Sequence, residues 1–97
     1  MGAKGKATVI KVGGSEEELD HRPTLAEAQG VVGGFIELTQ GILNGKVVTL
    51  VLDEEGKLKN KEINLKATSM YWSRFPGIGD IIVGDVIVLK GWRTVGG

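Results

Sequence analysis

Residues able to do chemistry are sparse in this chain. His21 is the only histidine, cysteine is absent, and the densest acidic run is Glu16, Glu17, Glu18 and Asp20. Nucleophilic catalysis needs a nucleophile beside an activating base, and acid–base catalysis needs carboxylates tuned apart by their surroundings. Neither pattern is visible: the serines are scattered, and His21 lacks the second histidine or thiolate that would complete a ligand set. Consecutive carboxylates in a loop read as a solvated surface rather than a cation site. His21 reads as a loop residue ahead of a helix rather than a ligand or general base. Gly77-Ile78-Gly79-Asp80 has glycines suited to a phosphate loop, but neither a following helix nor a Lys-Ser/Thr pair, so it reads as a turn. The expectation is a non-catalytic protein with no metal site and no cofactor.

Binding chemistry is more concentrated. Tyr71, Trp72, Arg74 and Phe75 stand together, and aromatic and Arg side chains carry a disproportionate share of contact energy. The alternative for Trp72 is core packing. Gln29 and Glu37 join the candidate binding residues because each is a polar group on or beside an apolar face; their alternatives are a helix edge and the solvent side of a strand. Lys57, Lys59, Lys61, Lys66 and Arg74, beside Tyr71 and Trp72, come nearest to the basic stripe with interleaved aromatics that single-strand binders use. Twelve Lys and Arg balance twelve Asp and Glu, so the chain has no net field to draw nucleic acid. Nucleic acid therefore ranks behind a protein partner or a small nucleotide-like ligand.

The elements that must position these residues centre on Pro23 to Thr39. Thr24 and Glu27 have capping-box spacing, so a helix starts near Leu25, with Leu25, Ala28, Gln29 and Val32 on one face. Gly33-Gly34 ends it, at least one of the pair with positive φ, before a strand Phe35–Thr39 of period two. Ala7 to Val12 is β-branched and forms a first strand; Gly13 to Arg22 follows as an acidic loop. Asn44-Gly45 marks a hairpin whose return strand is Val47 to Asp53. Asn64 caps a second helix, Leu65 to Arg74, which Pro76 stops at Phe75. Leu65, Thr68, Ser69 and Trp72 share one side of that helix and Ala67, Met70 and Tyr71 the other, so one side covers the sheet and the other leaves aromatic surface. Asp80 to Lys90 reads as a buried strand bent at Gly84-Asp85.

The order β-α-β-β-α-β gives a small α+β domain of about four mainly antiparallel strands with two helices on one face, ferredoxin-like or a related split βαβ arrangement. Residues 1–6 read as a flexible leader, 7–90 as the domain and 91–97 as a tail in which Trp92 and Arg93 need an oligomer or the sheet end to order them. With both helices on one face, Val9, Phe35, Val47 and Val51 would leave an apolar patch on the other, and a homodimer would cover it. No apolar run approaches the ~20 residues of a bilayer span, so no membrane role is expected.

Pro23-Thr24-Leu25, Gln29, Val32-Gly33-Gly34-Phe35-Ile36-Glu37, the Asp53 to Leu58 turn, Asn64 with Ala67-Thr68 and Tyr71-Trp72, and Val83-Gly84-Asp85 resemble a small domain of unknown function encoded widely by bacteriophages, including those of actinobacteria, and by mobile elements. The resemblance covers about Ala7 to Lys90. It implies a viral accessory protein in the host cytoplasm, engaged in host takeover or counter-defence, and it assigns no activity or catalytic residue.

Overall fold

The structure, a computed structural model, describes residues 5–96. Two helices and five strands follow in the order β1 Lys6–Ile10, β2 Glu16–Leu19, α1 Leu25–Val32, β3 Ile36–Leu43, β4 Lys46–Asp53, α2 Leu65–Arg74 and β5 Val86–Lys90. The sheet order is β2-β1-β5-β4-β3, and every neighbouring pair is antiparallel. The domain is α+β, with five strands where four were expected.

The additional strand is β2, drawn from the acidic loop. Its sequence, Glu-Glu-Glu-Leu, has little β-propensity, and pairing makes it a strand. Gly14 N–H donates to Lys11 O and Lys11 N–H to Ser15 O, which turns the chain so that Ile10 opposes Glu16 and Ala7 opposes Leu19.

The helices lie on opposite faces of the sheet, correcting the one-face expectation. Val86-Ile87-Val88-Leu89 in β5 is apolar without interruption, so both faces of the central strand need covering. Met70 and Ala67 of α2 pack on Ile10, Val48, Leu50, Val86 and Val88. Ala28 and Val32 of α1 pack on Ala7, Val9, Val51, Ile87 and Leu89. Val9 and Val51 are thus buried under α1, whereas Phe35 and Val47 remain exposed.

The ferredoxin-like order does not form either. Residues 80–84 run back along α2, from Trp72 past Thr68 to Asn64, and this return delivers β5 antiparallel to β4 and next to β1. The strand proper starts only at Val86; before it, Gly84 has φ 79° and Val83 makes a single bridge to Ile63. Residues 57–59 are turn and cross toward α2. The segment after β5 closes on the chain itself: Gly96 bridges Thr24, Arg22 donates to Thr94 O, and Trp92 packs at the edge of the α1-side core. Residues 1–4 and Gly97, within the expected leader and tail, lie outside the described residues.

Candidate functional site

Helix α2 is held at its start by one buried residue. The Asn64 side-chain oxygen accepts from Ala67 N–H, while its amide donates to Ile10 O and Gly84 O at 2.9 Å each. One turn on, the Thr68 hydroxyl donates to Ile82 O and accepts from Ile82 N–H. The Asn-x-x-Ala-Thr element is therefore a clamp that ties α2 to β1 and to the return segment. Thr68 is buried in this clamp, and Leu65, Ser69 and Trp72 carry the exposed side.

At the other end of α2 stand four of the expected site residues. Trp72 is 48% exposed, yet its indole N–H donates to Asp80 O at 2.5 Å, so the ring is pinned in an outward pose. Arg74 lies 4.7 Å from the Phe75 ring centre and donates to Gln40 Oε1 at 2.9 Å. Phe75 packs at 5.3 Å, tilted, on Tyr71. Arg74, Phe75 and Tyr71 thus brace one another against β3, while Trp72 is held separately by the return segment.

Tyr71 turns toward the sheet and meets Glu37 in a cleft of about 170 Å³, completed by Thr39, Leu52, Lys57 and Asp80. Lys57 pairs with Asp80 across its mouth. That hydrogen bond, and a second from Ile81 N–H, hold the Asp80 carboxyl below its usual range. Asp80 and Lys57 were not among the expected site residues; nothing in a turn sequence shows which cation its aspartate will meet. Glu37 is exposed. Gln29 is half-buried on α1, across the sheet from α2, so the structure does not bring it to the other five. Its carbonyl does local work, accepting from Gly33 N–H and Gly34 N–H at the helix end.

A second polar cluster closes α1. Asp53, 3% exposed, meets Lys59 at 2.9 Å and Lys61 at 2.7 Å, and those ammonium groups also donate to Gly33 O and Val32 O. The cations thereby reach the free carbonyls at the negative end of the helix. Burial pushes the Asp53 carboxyl up, but the hydrogen bonds from Lys61, Lys59 and Glu55 N–H outweigh it and hold its pKa at about 2.

The basic residues beside Tyr71 and Trp72 are already engaged. Lys57 pairs with Asp80, Lys59 and Lys61 with Asp53, Lys66 with Glu16, and Arg74 with Gln40. His21 lies between two carboxylates, Nδ1 2.6 Å from Asp20 and Nε2 2.7 Å from Glu27. Among the described residues no group of three or more His, Cys, Asp or Glu is placed to hold a metal ion, and no helix is long and apolar enough to cross a membrane.

No curated protein and no solved structure matches the chain. A family model described as a domain of unknown function (DUF3846) matches residues 5–96, and the chain belongs to that family.

Proposed function

We propose that the protein is a non-catalytic binding module that contacts a host protein through the outer surface of α2, formed by Leu65, Ser69 and Trp72 with Phe75 at its end. The observation that carries this reading is the pinned exposure of Trp72: a large ring held half in solvent by its own hydrogen bond to Asp80 O has lost its rotamer freedom before any partner arrives. Ordering a free side chain on binding costs ~0.5–1.5 kcal/mol, so a pre-set aromatic anchor favours contact. Leu65, 74% exposed on the same side, extends the apolar surface by two turns. The Tyr71–Glu37 cleft is below the ~300–1,000 Å³ of typical small-ligand sites, which favours a macromolecular partner at this surface. A nucleic-acid partner is disfavoured here because the neighbouring cations are spent on internal pairs. The sequence's resemblance to phage-encoded domains supports a reading in which it acts in the host cytoplasm, as stoichiometric inhibition in counter-defence or host takeover.

The test is affinity capture from host lysate with the parent chain and with Trp72→Ala and Leu65→Ser. A captured protein lost with both variants at unchanged melting temperature supports the surface. Folded variants that retain full capture overturn it, and recovery of nucleic acid in place of protein transfers the reading to a nucleic-acid-binding accessory protein.

A further inference from the structure

The end of the sheet away from Asn64 carries a different charge pattern. Lys6 and Lys90 are direct antiparallel partners, which sets two ammonium groups opposite each other on one face. Like charges so placed destabilise a sheet. Lys46 and Lys90 line a concavity of about 240 Å³ beside the Asn44-Gly45 turn. It shares Val47, Val48 and Gly91 with a larger one of about 680 Å³, whose walls include Trp92 and Arg93. Together they make a trough round the end of the sheet, and no carboxylate lines either part. Among the described residues Lys6, Lys46, Lys90 and Arg93 make no ion pair and no side-chain hydrogen bond, in contrast to the paired lysines near α2. In a chain whose formal charges cancel, Lys46 and Lys90 at the smaller hollow and Arg93 at the larger form a local excess, while Lys6 lines neither and faces a third hollow that it shares with Glu18 and Asp20. The floor is apolar where Leu38 and Val47 are exposed, so an occupant needs an uncharged body as well as an anionic group.

We infer that this trough is a small-molecule site for a phosphorylated ligand with a flat, weakly polar body, the chemistry of a nucleotide. Its body lies over Val47 and Leu38 on the α1 face with Arg93 beside it, and its phosphates reach round the end of the sheet to Lys46 and Lys90, which alternate onto the α2 face with Val48 and Val88. Gln40 and Thr49 on the walls supply an amide and a hydroxyl for the polar edge of such a body. The larger hollow is within the ~300–1,000 Å³ of small-ligand sites, unlike the cleft beside Tyr71. Lys46, Lys90 and Arg93 come together only in the folded sheet, so a ligand held by them binds the folded chain alone and raises the melting temperature. Gln40 lines this trough and also accepts from Arg74, so the two surfaces meet at that residue, and the trough is tested by variants at its own cations.

The experiment uses the full chain carrying Trp72→Phe, which leaves Trp92 as the only tryptophan and makes its emission a reporter of the trough. Titrants are ATP, adenosine, inorganic triphosphate and a twelve-residue thymidine oligonucleotide, each followed by fluorescence and by thermal melts. ATP should change the emission and raise the melting temperature, while adenosine does so at least tenfold more weakly. Lys46→Ala and Arg93→Ala should each weaken ATP at least tenfold. Lys90→Ala should melt no lower than the parent, because it relieves a repulsion, and yet lose the ATP-dependent rise. Lys11→Ala, at the opposite end of β1, should behave as the parent. No response to millimolar ATP, or equal responses in the parent and the trough variants, overturns the site. Triphosphate matching ATP overturns the flat body, and an oligonucleotide that binds more tightly than ATP with the same variant sensitivity overturns the small-molecule assignment in favour of a single strand.

Discussion

Asp53 is a carboxylate buried at the end of a strand and surrounded by two ammonium groups and a helix end. Its folded pKa of about 2 lies below the ordinary 3.8, so its contribution to stability is fully present above pH 3.8 and is lost as pH falls toward 2. The linkage amounts to ~2 kcal/mol, and acid titration of the folding free energy should show that loss below pH 4. Asp53→Asn should abolish the acid step and destabilise by ~2–4 kcal/mol at neutral pH, because it leaves Lys59 and Lys61 with no counter-charge. His21 has the opposite sign. Hydrogen bonds to Asp20 and then Glu27 raise its pKa above 6.5, so what it adds is present below pH 6.5 and is lost as pH rises through the raised value. An NMR titration of the imidazole should give a midpoint above 6.5, moving down in Glu27→Gln; an unshifted midpoint would show that the bridge does not persist in water. The buried Asp53 could have been suspected from a charged residue ending an apolar strand, but its two lysines come from a turn whose path no local pattern specifies.

At the scale of elements, the helices and their caps could be read from the chain because their signals are local. The Thr24–Glu27 capping box forms with both hydrogen bonds, α2 spans Leu65–Arg74, and Asn44-Gly45 takes φ 52° and 77° in the hairpin turn. Gly33-Gly34 divides its work: Gly33 has φ 84°, while a Cβ on Gly34 would lie 2.6 Å from Lys59 Nζ and 2.9 Å from Asp53 Oδ1. Gly33→Ala should cost ~1 kcal/mol through backbone strain, its Cβ touching Lys61 Nζ at 3.0 Å, and Gly34→Ala should act directly on Asp53 and Lys59, so the second should reduce the acid step more. What stayed hidden was set by pairing at a distance: β2 exists because β1 offers it an edge, and the opposite placement of the helices follows from the double-sided core. Asn64 was readable as a cap but not as a tie to Ile10 O and Gly84 O. Asn64→Asp keeps the cap acceptor and removes those two donors. Thermal and denaturant melts should place it at least ~2 kcal/mol below the parent, as low as Asn64→Ala, whereas a simple cap would leave Asp nearly neutral. Of the six residues expected to bind, five lie around α2 and one does not, because sequence spacing cannot tell on which face a helix will land.

At the scale of the molecule, the sheet ends in two unlike edges. On one side β2 is short and carries three glutamates; on the other, β3 offers eight residues with no lysine or proline to guard it, and Phe35 beside it is 70% exposed. Long unguarded edges recruit strands. We expect a second copy to pair with β3 at high micromolar concentration, giving a dimer mass by light scattering that Leu38→Lys returns to monomer; a parent of monomer mass would remove the idea. The wedged position of β5 bears on how the chain reaches its fold. The β1–β2 and β3–β4 hairpins close over short distances, yet each presents its inner strand to a gap that β5, which follows both in the chain, fills. On the ribosome the two halves must therefore wait with apolar flanks uncovered, and assembly becomes a single late event limited by loop closure over nearly the whole described chain. A protein built this way has no stable half: shortened before Val86 it is two loose hairpins, so every intermediate between synthesis and the finished sheet is an opening for proteases.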